Sequence, residues 1–454
     1  MSRALALASG LVCAALAACA GGDPPVPGPK AGSANGPPLL TDEDWSVIQT
    51  LSPMPELPPE RTNAYADDPR AAALGQRLFF APIGRNGIVG GPENLSCATC
   101  HSGSALDDRR ATNAVSDGVT WGTRNALPIV NSAYYAWSGW GGRFDSQWSL
   151  VLGATENAKV LGTTRLAIAH LLFTSYRDEY DAIFPVPLDP ELAGTTRFPV
   201  SGAPGSAAWT SMTEADQKIV DRIFVNYGKA IAAYMRRLVT KNAPFDRWVA
   251  GDAKAISDSA ARGVKVFVEN GCVSCHKGPR FTDDEFHWDG TQQVGEHVPP
   301  TDNGRIDDVA ALLASPFTAG DAWSDAPETS RIPSLVGVSI PRSTFRTKSL
   351  RDLGTSAPYM HCGQFPTLEA VIDHYCGEGG ASAEPPPPPG STSGDTGGYG
   401  GSGPPPPPPQ APALDPPPMH FVSLTPAERT DLVAFLRTLD GEPLDPQLLK
   451  AEGP

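Results

Sequence analysis

Positive charge is in short supply: 35 Lys and Arg stand against 50 Asp and Glu, giving a formal net charge of -15 over 454 residues, and no basic run occurs. A nucleic-acid surface is excluded on that ground. Beyond the N-terminal segment no stretch approaches the ~18 uninterrupted apolar residues of a membrane-spanning helix, so none is expected. Alternating strand patterns are scarce as well, which leaves a mainly α chain with long connections as the expectation. Gly and Pro are the opposite case. With 46 and 48 of them they make up about a fifth of the chain, well above average usage, and they signal loops and linkers.

Much of that excess sits in two places. MSRALALASGLVCAALAAC has one early charge at Arg3, an apolar stretch from Ala4 to Ala18, and then Cys19. Residues 1–18 read as a signal peptide. Leu16-Ala17-Ala18-Cys19 resembles the lipobox of bacterial lipoproteins, and Ala20 carries no acidic signal for inner-membrane retention. The expectation is a body tethered through a lipid on Cys19, in the periplasm and on the outer membrane, with the anchor as its only membrane contact. Ordinary cleavage with Cys19 lost is the alternative. Residues 19–40 are the Pro/Gly-rich tether, and residues 379–418, with Pro385 to Pro389 and Pro404 to Pro409, are a low-complexity insertion of partly polyproline II character. A neutral length insertion and a docking segment are both open for it.

Between these blocks the periodicity is helical. Ile223, Phe224, Tyr227, Ile231, Tyr234 and Leu238 recur every three or four residues, so Glu214 to Arg237 is expected to form one amphipathic helix. A last helix should open at Thr425, with Pro426 first in the helix and Glu428 closing a capping box. Pro244 to Asp252 is taken as the boundary between an N-terminal unit, 41–245, and a C-terminal unit, 246–454.

The eight cysteines carry the chemistry. Cys97-Ala98-Thr99-Cys100-His101 and Cys272-Val273-Ser274-Cys275-His276 are both C-x-x-C-H. Two thiols at this spacing can form thioethers with haem vinyl groups, and the adjacent imidazole meets the iron. A thioredoxin-type pair or a zinc site does not need the His after each pair. Each motif follows a helix-like lead, 71–80 and 260–267. Two cytochrome c-like haem domains with covalently bound c-type haems are expected, their proximal ligands His101 and His276.

From about Leu74 to Gly162 and from Arg262 to Leu439 the chain resembles the bacterial dihaem cytochrome c peroxidases and the related MauG-type enzymes. The residues that carry the resemblance are Ser96 to His101, Arg124-Asn125-Ala126-Leu127-Pro128, Trp140-Gly141-Gly142-Arg143 and Ala357-Pro358-Tyr359-Met360-His361. It implies a peroxidatic haem in the N-terminal domain, an electron-transfer haem in the C-terminal domain, and Trp140 as the tryptophan between them. A core aromatic is the bland reading of Trp140. It also implies a calcium held by the Asn125 side chain and the carbonyls of Ser356 and Pro358, oxygen ligands that suit a hard cation.

Three departures bear on function. Asp117 stands where the peroxidases have a loop histidine, which implies a first haem open to peroxide, as in MauG. Tyr375 stands where peroxidases supply a Met to the second iron, and a phenolate stabilises oxidised iron. Met360, Met419 or water are the alternative ligands. Leu150 and Val160 stand where the family has a Gln and a Glu for moving a proton within bound peroxide, and Ala154 replaces a usual proline. Glu156 is a candidate substitute, with a solvated loop glutamate as the alternative. Cys362 and Cys376 bracket His361 and Tyr375, and in an exported chain a disulfide is expected, two free thiols being the other possibility.

The expectation is a dihaem oxidoreductase driven by hydrogen peroxide, drawing electrons from a small cytochrome or cupredoxin donor or from a residue on a protein substrate. A dihaem electron carrier or redox sensor without turnover is the rival, and Leu150 and Val160 support it.

Overall fold

The computed structural model describes residues 40–83, 95–102, 118–378, 415 and 417–451. The signal segment with Cys13 and Cys19, the tether, Asp117 and nearly all of the insertion lie outside the described residues. Among the described residues no helix is long and apolar enough to cross a membrane.

The described chain is mainly helical. In order come α1 (Asp42–Gln49), α2 (Pro69–Phe80), α3 (Cys97–Cys100), α4 (Gln147–Glu156), α5 (Arg165–Ser175), α6 (Arg177–Ile183), α7 (Ala207–Thr210), α8 (Glu214–Met235), α9 (Pro244–Val249), α10 (Asp258–Glu269), α11 (Arg305–Leu313), α12 (Leu368–Tyr375) and α13 (Pro426–Leu436). Polar caps set most starts: Thr213 before α8, Ser257 before α10 and Thr367 before α12 each accept a hydrogen bond from a first-turn amide. The capping box expected at Thr425 and Glu428 is present, and the helix tightens to a 3-10 turn over Arg437–Leu439. The one sheet among the described residues pairs β1 (Phe286–His287) with β2 (Phe345–Arg346), antiparallel.

Two buried apolar clusters organise these elements. The first gathers α2, α4, α5 and α8 around Leu78, Trp148, Leu172 and Phe224. The second gathers α1, α9, α10 and α13 around Trp248, Phe267, Phe281 and Phe435. Each is built on one close crossing of helices. A Cβ on Gly75 of α2 would lie 1.9 Å from the Ala230 carbonyl oxygen of α8, and a Cβ on Gly263 of α10 would lie 1.9 Å from the Asp431 carbonyl oxygen of α13. Glycine is needed at both points because backbone meets backbone there. In each case the crossing helix is the lead into a C-x-x-C-H motif, so the same arrangement occurs twice.

The stretch from Pro244 to Asp252, where the boundary is expected, is folded. It holds α9, whose Phe245, Trp248 and Val249 are buried in the second cluster. Proline at the first helical position starts this short helix, and Phe245, Trp248 and Val249, three and four residues apart, share its buried face. Arg351 pairs with Asp246 of α9 at 2.7 Å and also donates to the Leu51 carbonyl, so the segments meeting here are tied by a buried ion pair.

Candidate haem sites and the seam between them

The two motifs fold alike. α3 begins after Ser96, and the amide of His101 donates to the Cys97 carbonyl at 2.9 Å; the amide of His276 donates to the Cys272 carbonyl at the same distance. Gly271, at φ 75°, delivers the chain from α10 into the 3-10 turn Cys272–Ser274. The Phe79 ring of α2 lies 6.4 Å from His101, and burial pushes the Cys97 thiol up to about 12.

His276 is oriented for a metal. Its Nδ1 donates to the Phe281 carbonyl at 2.9 Å, and since a carbonyl only accepts, Nδ1 carries the proton and the Nε2 lone pair is left for iron. Burial lowers its pKa, which favours the neutral, ligating form. Arg346 is buried with Nε and Nη2 unpartnered, and Nη1 of Arg280, the residue before Phe281, is unpartnered too. Buried guanidinium donors of this kind suit the carboxylates of a haem. The residues present therefore fit the group the motifs imply. Cys275 also lies within 4.8 Å of ligand atoms of Asp283 and His287, but its sulfur is one of the two that the C-x-x-C-H motif offers to a haem.

Trp140 stands in the seam. Its Nε1 donates to the Asn125 carbonyl at 2.8 Å, and its own carbonyl accepts from the Arg346 amide of β2 at 2.8 Å. The indole meets His361 edge-on at 6.4 Å, and the Lys348 ammonium lies 4.6 Å from its centroid. His361 is fully buried, stacked on Phe345 at 3.7 Å, and hydrogen-bonded to Gln293. Lys348 and Gln293 were not found by sequence reasoning, because no motif marks them.

Tyr375 ends α12 and is half-buried. Burial, then Asp289, Cys272 and Cys275, push its phenol upward, so the tyrosine neighbours the second attachment site. Asn125 is buried, and its amide donates to the His361 carbonyl at 2.8 Å, which lays Asn125 alongside the segment holding Ser356 and Pro358. Leu150 and Val160 pack against the first cluster.

Glu156 ends α4, is partly buried and is paired: both carboxylate oxygens accept from Arg165, at 2.9 and 2.6 Å, and Arg165 also binds Asp221 at 2.6 Å. One expectation changes. Cys362 and Cys376 form no disulfide. The buried Cys362 sulfur faces the Thr123 carbonyl and Gln293 at 3.5 Å, whereas Cys376, at the end of α12, neighbours Cys272.

The family model described as di-haem cytochrome c peroxidase matches residues 69–254. The cytochrome c peroxidase IdrP2 of Pseudomonas sp. (strain SCT) is 30% identical over 402 residues, covering 87% of this chain and 86% of that protein. The chain belongs to the di-haem cytochrome c peroxidase/MauG family. The methylamine utilization protein MauG of Methylorubrum extorquens is 29% identical over 409 residues, covering 89% and 87% of the two chains. The crystal structure of the diheme peroxidase BthA from Burkholderia thailandensis shares the fold, with a TM-score of 0.54 at 20% identity over 82% of this chain and 86% of that one. Membership makes the protein a peroxidase-type oxidoreductase of a di-haem family, with two c-type haems implied.

Proposed function

We propose that this protein is a periplasmic enzyme that uses hydrogen peroxide to oxidise a small redox protein or a residue borne on a protein substrate, in the manner of the MauG branch. The observation that carries this reading is Trp140, pinned between Asn125, from the stretch of chain after the first motif, and Arg346 and Lys348, from the stretch after the second. When bound, the two haems would supply reaction with peroxide at one end and electron exchange at the other. The chain holds them with Cys97, Cys100 and His101, and with Cys272, Cys275 and His276. Phe281 fixes the His276 tautomer, and Trp140 is the electron bridge.

Tyr375 is proposed as a residue that would hold the C-terminal iron together with His276, supported by its place beside Cys272 and Cys275. Burial disfavours the free phenolate, so a Lewis-acidic metal would be what ionises it. Calcium on Asn125, Ser356 and Pro358, the lipid anchor on Cys19, and a cytochrome or cupredoxin donor complete the proposal. The non-catalytic carrier or sensor is the second reading. It is favoured by aliphatic Leu150 and Val160, which cannot transfer a proton, and by the engagement of the Glu156 carboxylate with Arg165.

Ferric absorption and EPR spectra, followed by stopped-flow addition of peroxide, separate the two. One high-spin and one low-spin haem, with a rapid peroxide-dependent change, support the enzyme. Two low-spin haems and an unchanged spectrum support the carrier. Tyr375→Phe should alter the low-spin signal alone, and an unaltered signal removes Tyr375 as ligand.

A further inference from the structure

Lys348 lies two residues beyond β2 and reaches across the seam to the turn that carries Trp140. Its ammonium donates to the Gly139 carbonyl at 3.1 Å and sits 4.6 Å from the centre of the Trp140 ring. The indole is fixed under it by the bond from Nε1 to the Asn125 carbonyl, and the backbone is fixed by the bond from the Arg346 amide. Burial first, then the like charges of Arg346 and Arg124, lower the pKa of Lys348, while Asp284 and Asp308 act the other way; the charge over the ring is therefore greatest at low pH, and Lys348→Arg makes it permanent. Both acids are already committed: Asp308 binds Arg124 and the Gly141 amide, and Asp284 binds Arg280 and Arg346.

The contact acts oppositely on the two redox states of the ring. A cation over a neutral indole face is attractive. Removing one electron leaves a radical cation, whose charge is relieved only if the N–H proton leaves. The acceptor at Nε1 is a peptide carbonyl, which accepts a hydrogen bond but is too weak a base to take that proton. A hole resting on Trp140 therefore keeps its positive charge directly beneath a second one.

We propose that Lys348 sets the oxidation potential of Trp140, holding it high so that electrons cross between the two haem sites through the ring without the hole settling there. The inference rests on the reading of Trp140 as the bridge. With both haems bound, Trp140 would give one electron toward the peroxide-reacting first site and take one back from the second, so the ring would end as it began and no proton would move. Lys348 acts through Trp140 and is a tuning residue. The gain is protection, because a short-lived hole gives water and oxygen little time to attack the ring.

The test uses the dihaem protein and the variants Lys348→Met, Lys348→Arg and Trp140→Phe. A flash-generated ruthenium(III) polypyridyl delivers the hole, so the result does not depend on peroxide turnover. Rapid-freeze EPR measures the indole radical, and peptide mapping measures oxidised Trp140. Lys348→Met should raise both by roughly tenfold, while Lys348→Arg, which keeps a cation over the ring, should stay at the wild-type level. Lys348→Gln, which can still donate to Gly139, carries the same expectation as Met and serves if Met disturbs the fold. Unchanged radical yield in the Met and Gln variants, with haem spectra and near-UV dichroism intact, overturns the proposal. Trp140→Phe tests the bridge by itself: electron transfer between the haems should slow by roughly tenfold or more, and an unchanged rate would defeat the bridge reading whatever Lys348 does.

Discussion

Asp440 accepts a hydrogen bond from the Gly354 amide at 2.9 Å, and burial, with Asp352 close by, pushes it up to about 6. In the unfolded chain it titrates near 3.8, so the folded state binds the proton more tightly. The favourable contribution is complete below the unfolded value and is lost as pH rises through about 6. Asp440→Asn, which can still accept from Gly354, should stabilise the protein at pH 7 by on the order of 1–2 kcal/mol and flatten the fall in stability between about pH 4 and 6, measured by urea unfolding across pH. Glu156 is held by an ion pair instead. Its bidentate partner Arg165 is largely buried, so Glu156→Gln should cost about 1–3 kcal/mol in the same assay. At this scale the sequence exposed what spacing encodes: two thiols and an imidazole in five residues are legible because the haem demands them locally. The Arg165 partner of Glu156, the separation of Cys362 from Cys376, and Lys348 over Trp140 were illegible, since each depends on where a distant backbone turns.

Helices were legible where their periodicity and caps agree. The long helix expected over Glu214 to Arg237 is α8, Glu214–Met235, because Thr213 caps it and one face is apolar throughout. What periodicity could not give is which helix each one crosses. That information lies in single glycines: Gly75 and Gly263 look like mild helix weakeners in the sequence, yet each lets two helices touch along their backbones. Alanine raises helix propensity at such a site but here must push α8 or α13 away. Gly75→Ala and Gly263→Ala are each expected to cost about 3 kcal/mol or more. Gly194 supplies the control, since a Cβ there meets nothing closer than 3.8 Å, and Gly194→Ala should change stability by less than about 0.5 kcal/mol. Denaturant midpoints at constant slope check all three; equal effects at Gly75 and Gly194 would discard the close-crossing account.

At the scale of the molecule the two ends of the chain are exchanged. Trp45, Ile48 and Leu51, which precede every haem residue, are buried in the cluster around α10 and α13. Leu444 and Leu448, which follow every haem residue, are buried in the cluster around α2 and α8. Polar contacts reinforce the second exchange: the Tyr234 hydroxyl of α8 donates to the Leu448 carbonyl at 2.5 Å, and Gln76 of α2 donates to the carbonyls of Gln447 and Lys450 at 2.6 and 3.0 Å. Sequence reading could not see this, because assigning residues 41–245 and 246–454 to separate units supposes that each core is filled from its own stretch of chain. Cores that borrow from each other's ends cannot lose structure independently. Urea unfolding followed at each haem should therefore give one coincident transition. Ending the chain after Gly441 removes two buried leucines and strips Tyr234 and Gln76 of their acceptors, a loss of about 4–7 kcal/mol. Because the damage falls on the first core alone, the truncated protein should part into two transitions, the His101 haem releasing at lower urea than the His276 haem. A single coincident transition after truncation would show that the seam around Trp140, Arg351 and Asp246 couples the clusters without help from the exchanged ends.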